Sequence, residues 1–281
     1  MRELFAFSLA LAVGSMIAVA VAGEPDGLRP DRIEVEYLMP KNAAHDNVYG
    51  LMRERKVLER LKEFLSPLRL PRVLLLKTEG CDGETNAWYT DDAVTVCYEY
   101  LDNIVRNAPE QTTPTGVTQM DAIVGPVIDV FLHEVGHAVF DYNQVPILGR
   151  EEDAADQFSA YFLLKFAKDD ARRLLAGVAY DYARDASVPT KNKNPFADAH
   201  GLPMQRLYNV LCLAYGADTK VFEQMVSDGH LPSERAEGCA DEYAQVKSAM
   251  TILIDPFIDQ RLAKRIKYKE WFNLNDALEI K

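Results

Sequence analysis

The chain has 281 residues, of which 48% are hydrophobic, enough for a sizeable core in one domain or in two closely packed lobes. Acidic residues outnumber basic ones by 43 to 31, so the formal net charge is −12 at pH 7. This balance argues against nucleic acids and anionic membranes as partners, because both are negatively charged.

Residues 1–22 have the composition of a secretory signal peptide. An uncharged, mostly apolar stretch begins after Arg2-Glu3 and ends in Ala-Val-Ala at 20–22, a pattern that is typical of a cleavage site. The sequence therefore predicts an exported protein, periplasmic or secreted, with a mature chain of residues 23–281 and no other membrane segment. The alternative is an uncleaved anchor, because about 19 apolar residues can just span a bilayer.

From residue 23 to 116 the chain has the patterns of a small β-sheet and one helix. Some stretches alternate apolar and polar side chains or form short apolar runs, as strands do, and two of them flank a turn like the arms of a hairpin. Another stretch places apolar side chains at helical spacing and ends before two prolines. The predicted strands are 31–38, 73–76, 86–89 and 94–98, and the predicted helix is 48–65.

The four cysteines are an even number, as is usual in disulfide-bonded exported proteins. Of the three connectivities, the spacing favours Cys81–Cys97 and Cys212–Cys239, because each bond then joins near neighbours. Four buried thiols are the alternative. No C-x-x-C pair is present, so the cysteines do not predict a zinc site.

From residue 117 to 281 the pattern is almost wholly helical. Pro126 falls inside the first helix, which is therefore expected to kink or restart there. A small N-terminal sheet followed by a mainly helical region predicts an α+β fold. The predicted helices are 120–142, 151–168, 170–184, 202–215, 218–228 and 239–255.

The strongest chemical signal is the H-E-x-x-H motif of His133, Glu134 and His137. Residues four apart share one face of a helix, so both imidazoles can bind one metal ion. Glu134 then lies beside the metal, where it can take a proton from water. The surrounding run, 130–139, is otherwise apolar, and a buried helix that accepts three polar residues needs a functional reason. The motif predicts one Zn²⁺ per chain.

A catalytic zinc needs a third protein ligand, and the next helix supplies acidic candidates. Its first turn reads Glu151-Glu152-Asp153, and Asp156 follows Glu152 by one turn. A short connection folds this helix back onto the first, which brings Glu152 to the metal and lets Asp156 accept the second ring N–H of a ligand histidine. Asp153 and Asp156 remain alternative ligands, and Glu151 is expected to be solvated. The other interpretation is an acid-rich helix N-terminus without a metal.

The two helices resemble those of gluzincin metallopeptidases, the thermolysin-like class, which carry H-E-x-x-H on one helix and E-x-x-x-D on the next. The metzincin pattern is absent, because Phe140 and Asn143 stand where it needs glycine and histidine. The whole mature chain also resembles a family of exported bacterial proteins that are named metallopeptidases mainly by resemblance. The matching runs are 86–89, 133–137, 150–157 and 205–209.

The gluzincin resemblance implies roles for further residues. In thermolysin-like enzymes an Asn-Ala-aromatic segment is an edge strand that pairs with an extended peptide, so Asn86 and Ala87 are predicted to bind substrate. An ordinary hairpin is the alternative. These enzymes also use a downstream histidine to stabilise the oxyanion, and His200 is the candidate, with a structural histidine as the alternative. Arg206 and Tyr208 are interpreted as structural residues that tie their helix to the acidic turn.

These observations predict an exported zinc metallopeptidase that hydrolyses peptide bonds of a peptide or protein substrate, with Glu134 as general base. Two other functions remain open. One is a zinc-binding structural or interaction protein that does not cleave peptides, and the other is a zinc hydrolase of a non-peptide amide. The presence of Glu134 favours catalysis, because a structural zinc site gains nothing from a base at this position.

Overall fold

The computed structural model describes residues 29–188, 194–266, 269 and 271. The predicted signal peptide lies outside these residues. Within them the chain has the predicted α+β fold: a four-stranded sheet near the N-terminus and helices over most of the rest. The boundary at residue 116 between a sheet-containing and a helical part stays a prediction.

The described elements follow the order that the sequence predicts, with some additional short helices. The strands are β1 (Ile33–Tyr37), β2 (Leu74–Glu79), β3 (Ala87–Thr90) and β4 (Ala93–Cys97). The helices are α1 (Asp46–Glu54), α2 (Val57–Leu65), α3 (Tyr98–Asn107), α4 (Gln119–Asn143), α5 (Glu151–Leu163), α6 (Lys168–Ser187), α7 (Pro203–Ala217), α8 (Gln224–Ser227), α9 (Ser233–Ala236), α10 (Cys239–Leu253) and α11 (Gln260–Ile266).

The sheet has the strand order β1-β2-β4-β3. β1 and β4 both run parallel to β2, whereas β3 pairs antiparallel with β4 as the outer arm of the predicted hairpin. The alternating side chains Leu74, Leu76, Val94 and Val96 are fully buried, so one face of the sheet belongs to the core. Both β3 and β4 contact α4, which places the edge strand beside that helix.

Both predicted disulfides are present, Cys81–Cys97 and Cys212–Cys239. The first joins the loop before β3 to the end of β4. Glu99 holds the same loop, because its carboxylate accepts hydrogen bonds from the backbone N–H of Cys81 and of Gly83. Two disulfides indicate folding in an oxidising compartment.

Helix α4 forms the centre of the core. Thr118 caps it: its hydroxyl accepts the N–H of Asp121, and the carboxylate of Asp121 accepts the N–H of Thr118. The helix runs through Pro126 without a restart. Within the described residues it is the one helix long and apolar enough to span a membrane, but 89% of its most apolar window is buried in the fold. α4 is therefore interpreted as a core helix.

Helices α4 and α6 approach each other closely at two glycines. A Cβ atom on Gly125 would overlap the main-chain carbonyl of Leu174, and one on Gly177 would overlap the carbonyl of Asp121. The contact is closed at one end by an ion pair in which Arg173 Nε lies 2.7 Å from Asp121 Oδ1. The glycines thus set the distance between the two helices.

Three elements differ from the sequence predictions. The predicted helix 48–65 is divided into α1 and α2 by Lys56, which has a left-handed backbone with φ 51°. Helix α3 was not predicted, because it begins at Tyr98 directly after β4 without a turn residue. The predicted helix 218–228 is helical only in the four residues of α8.

Asp181 of α6 gives this fold a testable dependence on pH. Its side chain is 12% exposed, and burial raises its pKa from 3.8 to about 6, although Arg184 lies 2.8 Å away and opposes this rise. Because the folded protein holds this proton more tightly than the unfolded chain, stability falls as pH rises from about 4 to 6, by up to about 3 kcal/mol. We expect Asp181→Asn to remove this part of the slope in urea unfolding at several pH values. An unchanged slope would contradict the assignment.

Candidate metal centre

The centre is built on the helical hairpin α4–α5. Gln144 ends α4 in a left-handed conformation, and Gly149, at φ 110°, reverses the chain before α5 begins at Glu151. Gly136 lets the two helices approach, since a Cβ there would lie 3.3 Å from the ring of Phe158. The first turn of α5 therefore faces the histidines of α4.

Three side chains present one donor atom each to a common point. His133 Nε2 lies 3.1 Å from Glu152 Oε2 and 3.3 Å from His137 Nε2, and the distance from His137 Nε2 to Glu152 Oε2 is 3.4 Å. In tetrahedral zinc sites with bonds of about 2.0–2.1 Å, neighbouring donors are separated by about 3.3 Å. The three residues therefore fit a zinc ion in both chemistry and spacing.

A carboxylate holds the second ring nitrogen of each histidine. His133 Nδ1 lies 2.8 Å from Asp156 Oδ1, and His137 Nδ1 lies 2.7 Å from Glu151 Oε1. Such contacts fix the tautomer and strengthen the histidine as a donor. Asp156 is thus where the sequence predicts it. The predicted solvent exposure of Glu151 is confirmed, since its side chain is 54% exposed, and the structure adds a contact with His137 that the sequence analysis did not predict. Because Glu151 immediately precedes Glu152, its position in the sequence could have indicated a contact with one of the two histidines.

The acidic surroundings control the charge of the donors. Burial lowers the pKa of His133, but the bonds to Asp156 and Glu152 outweigh it and raise the pKa to about 9. Hydrogen bonds from His133, His137 and His200 hold the pKa of Glu152 far below its usual range. Glu152 is therefore a carboxylate at neutral pH, as a metal ligand must be.

Glu134 differs from Glu152 in its environment. Its side chain is 7% exposed, and burial raises the pKa of its carboxyl group, with the nearby histidines opposing the rise. A carboxylate with a raised pKa is a stronger base than a solvated one and suits proton transfer near neutral pH. The motif thus places two candidate metal ligands and a buried carboxylate on one helix.

His200 reaches the centre from a loop, although it lies 48 positions after Glu152 in the sequence. Its Nε2 lies 2.8 Å from Glu152 Oε2, its ring stacks on that of His133 with centroids 5.7 Å apart, and its side chain is 43% exposed. A cleft of about 670 Å³ opens beside it, lined in part by Tyr182, Leu202 and Met204. Sequence patterns contain no signal for this cleft.

The structure places the predicted substrate strand along the same helix. β3 begins at Ala87, while the exposed Asn86 accepts a hydrogen bond from Cys97 N through its main-chain oxygen. Tyr89 of β3 donates to Asp141 of α4 over 2.8 Å, one turn beyond His137. In the described part of the chain no strand pairs with the outer edge of β3, which makes it an edge strand of the sheet.

Donor atoms at tetrahedral spacing next to a buried carboxylate are typical of metal-dependent hydrolases. The chain belongs to a protein family described as "Putative metallopeptidase", which it matches over residues 37–254. This range includes α4, α5 and His200. The family implies a metal ion and peptide or protein substrates. Neither the curated proteins nor the solved structures contain a match to the chain.

Proposed function

We propose that the protein is an exported zinc metallopeptidase of the gluzincin type, with His133, His137 and Glu152 as metal ligands. The observation that carries the proposal is the spacing of the three donor atoms, 3.1–3.4 Å, on two helices that converge at one point. The family match supports the metallopeptidase class. The predicted signal sequence and the two disulfides support export.

A zinc ion bound by these residues supplies a Lewis acid that acidifies water and polarises a carbonyl group. The protein supplies the remaining steps. Glu134 accepts the proton of the attacking water on its carboxylate and passes it to the leaving amine. The half-exposed His200, whose Nε2 contacts Glu152, would turn its Nε2–H from that carboxylate towards the developing oxyanion.

The edge strand β3 supports a peptide substrate rather than a small amide. Hydrogen bonds from the main chain of Ala87 and its neighbours to an extended peptide bind any sequence, and they align the scissile carbonyl group with the centre. Tyr89 keeps β3 in place through its bond to Asp141. Asn86 and Ala87 are thus proposed to bind substrate backbone.

The first experiment is to measure the zinc content of the purified mature protein and of two variants. We expect one zinc per chain in the wild type and little in Glu152→Gln, because the neutral amide is a poor ligand for zinc. Asp153→Asn is the matched control, since Asp153 lies in the same helical turn but binds Arg150. It should retain the zinc.

The outcomes separate the parts of the proposal. A wild-type protein without zinc under metal-replete conditions would refute the metallopeptidase function. Full zinc retention in Glu152→Gln would refute Glu152 as the third ligand, and with it the gluzincin type. Loss of zinc in Asp153→Asn alone would move the ligand role to Asp153.

A further inference from the structure

A set of buried polar contacts behind His133 has no part in the mechanism described above. It begins at Asp156, which binds His133 on one side and Arg206 of α7 on the other. Arg206 Nε lies 2.8 Å from Asp156 Oδ2 and Arg206 Nη2 lies 2.6 Å from Asp156 Oδ1. A fork of two parallel bonds fixes the plane of the carboxylate as well as its position.

One face of the Arg206 guanidinium group packs on the ring of Tyr182 of α6. The guanidinium carbon lies 4.6 Å from the centre of the tyrosine ring, within the range of a cation–π contact. Tyr182 is 8% exposed, and its hydroxyl group donates to Asp129 Oδ2 over 3.1 Å. The ring is thus held by its hydroxyl group while its face supports the arginine.

Asp129 connects Tyr182 back to α5, the helix that carries Asp156. It lies on α4 one turn before His133, and its Oδ1 accepts a 2.5 Å hydrogen bond from Ser159, three residues after Asp156 on α5. Both of its partners are neutral hydroxyl groups, and no lysine or arginine of the described ranges forms an ion pair with it. A sheltered carboxylate without a cation costs stability, so its presence needs a reason.

We propose that Asp129 and Tyr182 are positioning residues for the metal centre. Asp129 holds the ring of Tyr182, and this ring keeps the guanidinium group of Arg206 in the plane that its two hydrogen bonds to Asp156 require. Asp156 in turn fixes the orientation of the ligand His133. The inference rests on the proposed metal site but adds two residues that lie outside its three donors. Its effect is on metal affinity, which can be measured without any assay of activity.

The test is a competition titration with Zn²⁺ against a chelating dye, together with the visible spectrum of the Co²⁺ form. Asp129→Asn keeps the shape of the side chain but replaces one acceptor with a donor. Tyr182→Phe keeps the ring under Arg206 but loses the hydroxyl group. We expect each variant to bind Zn²⁺ about 3- to 10-fold more weakly, less than the 10- to 100-fold typical of a direct partner of the ligand. We also expect a changed Co²⁺ spectrum.

Two features distinguish positioning from a general loss of structure. Asp129→Asn removes a partly buried carboxylate that has no ion-pair partner among the described residues, so the unfolding temperature of the variant without added metal should equal or exceed that of the wild type. The double variant, with both Asp129→Asn and Tyr182→Phe, should have the same Zn²⁺ affinity as the single variant with the lower affinity, because both changes act through Arg206. Asp181→Asn is the control: it removes a buried carboxylate on a different helix, α6, which pairs with Arg184 and not with Tyr182, and it should not change the affinity.

Wild-type affinity in both Asp129→Asn and Tyr182→Phe would overturn the inference while leaving the metal site intact. An equal loss of affinity in Asp181→Asn would also overturn it, because the effect would then be unspecific. If the wild type itself bound no zinc, the proposed function and this inference would fall together.

Discussion

Glu134→Gln is expected to lower the rate of peptide hydrolysis by about 10²- to 10⁴-fold, the usual contribution of a general base. Glutamine has nearly the same shape, but its amide cannot accept the proton of the attacking water. The change is confined to proton transfer because Glu134 is not among the three donor residues. The measurement is the initial rate of cleavage of a peptide library by the zinc-loaded protein.

Zinc content separates this variant from a ligand variant. Glu134→Gln should keep one zinc per chain, whereas Glu152→Gln should lose both metal and activity. Cleavage by Glu134→Gln at the wild-type rate would show that another group is the base. If the wild type binds zinc but cleaves no peptide, the interpretation as a non-catalytic zinc protein or as a hydrolase of small amides would take precedence.

Gly177→Ala in α6 is expected to destabilise the protein strongly. The new Cβ would overlap the main-chain oxygen of Asp121 and lie 2.6 Å from its carbonyl carbon. A backbone atom cannot rotate away as a side chain can, so α4 and α6 would have to separate. We expect a loss of about 3 kcal/mol or more, which corresponds to a fall of roughly 6–12 °C in the unfolding temperature.

Gly50→Ala is the matched control for that change. Gly50 is exposed within α1, and no atom lies within 4 Å of the position of its added Cβ. The same substitution there should stabilise the protein by about 0.5–1 kcal/mol, because alanine has the higher helix propensity. Equal effects of the two substitutions on thermal unfolding would contradict the close packing of α4 on α6.

The elements that sequence patterns predict are those with local signals. The alternation in β1, the apolar run in β2 and the long apolar stretch of α4 each identify their own structure. The grouping of His133, His137 and Glu152 could also be predicted from the sequence, because helical spacing and a short connection bring them together without knowledge of the rest of the fold. Both disulfides follow from near-neighbour pairing in the same way.

What sequence patterns miss depends on contacts between distant segments. Nothing in the apolar period of 48–65 marks Lys56 as the break between α1 and α2. α3 follows β4 without a turn, so its start at Tyr98 looks like the end of the strand. Tyr182 and Asp129 are 53 positions apart, and only the packing of α6 on α4 brings them into contact. Asp129 did offer one signal, since it shares a helical face with His133 and His137.

The proposed ligands are close together along the chain: His133 and Glu152 are only 19 positions apart. The entropy lost when a short loop closes is small, and a helical hairpin is quick to form because its contacts are local. During folding, the ligands can therefore meet while α7 is still undocked. Arg206 reaches Asp156 across 50 positions of the chain, so the support of His133 depends on a longer-range contact than the three donors themselves.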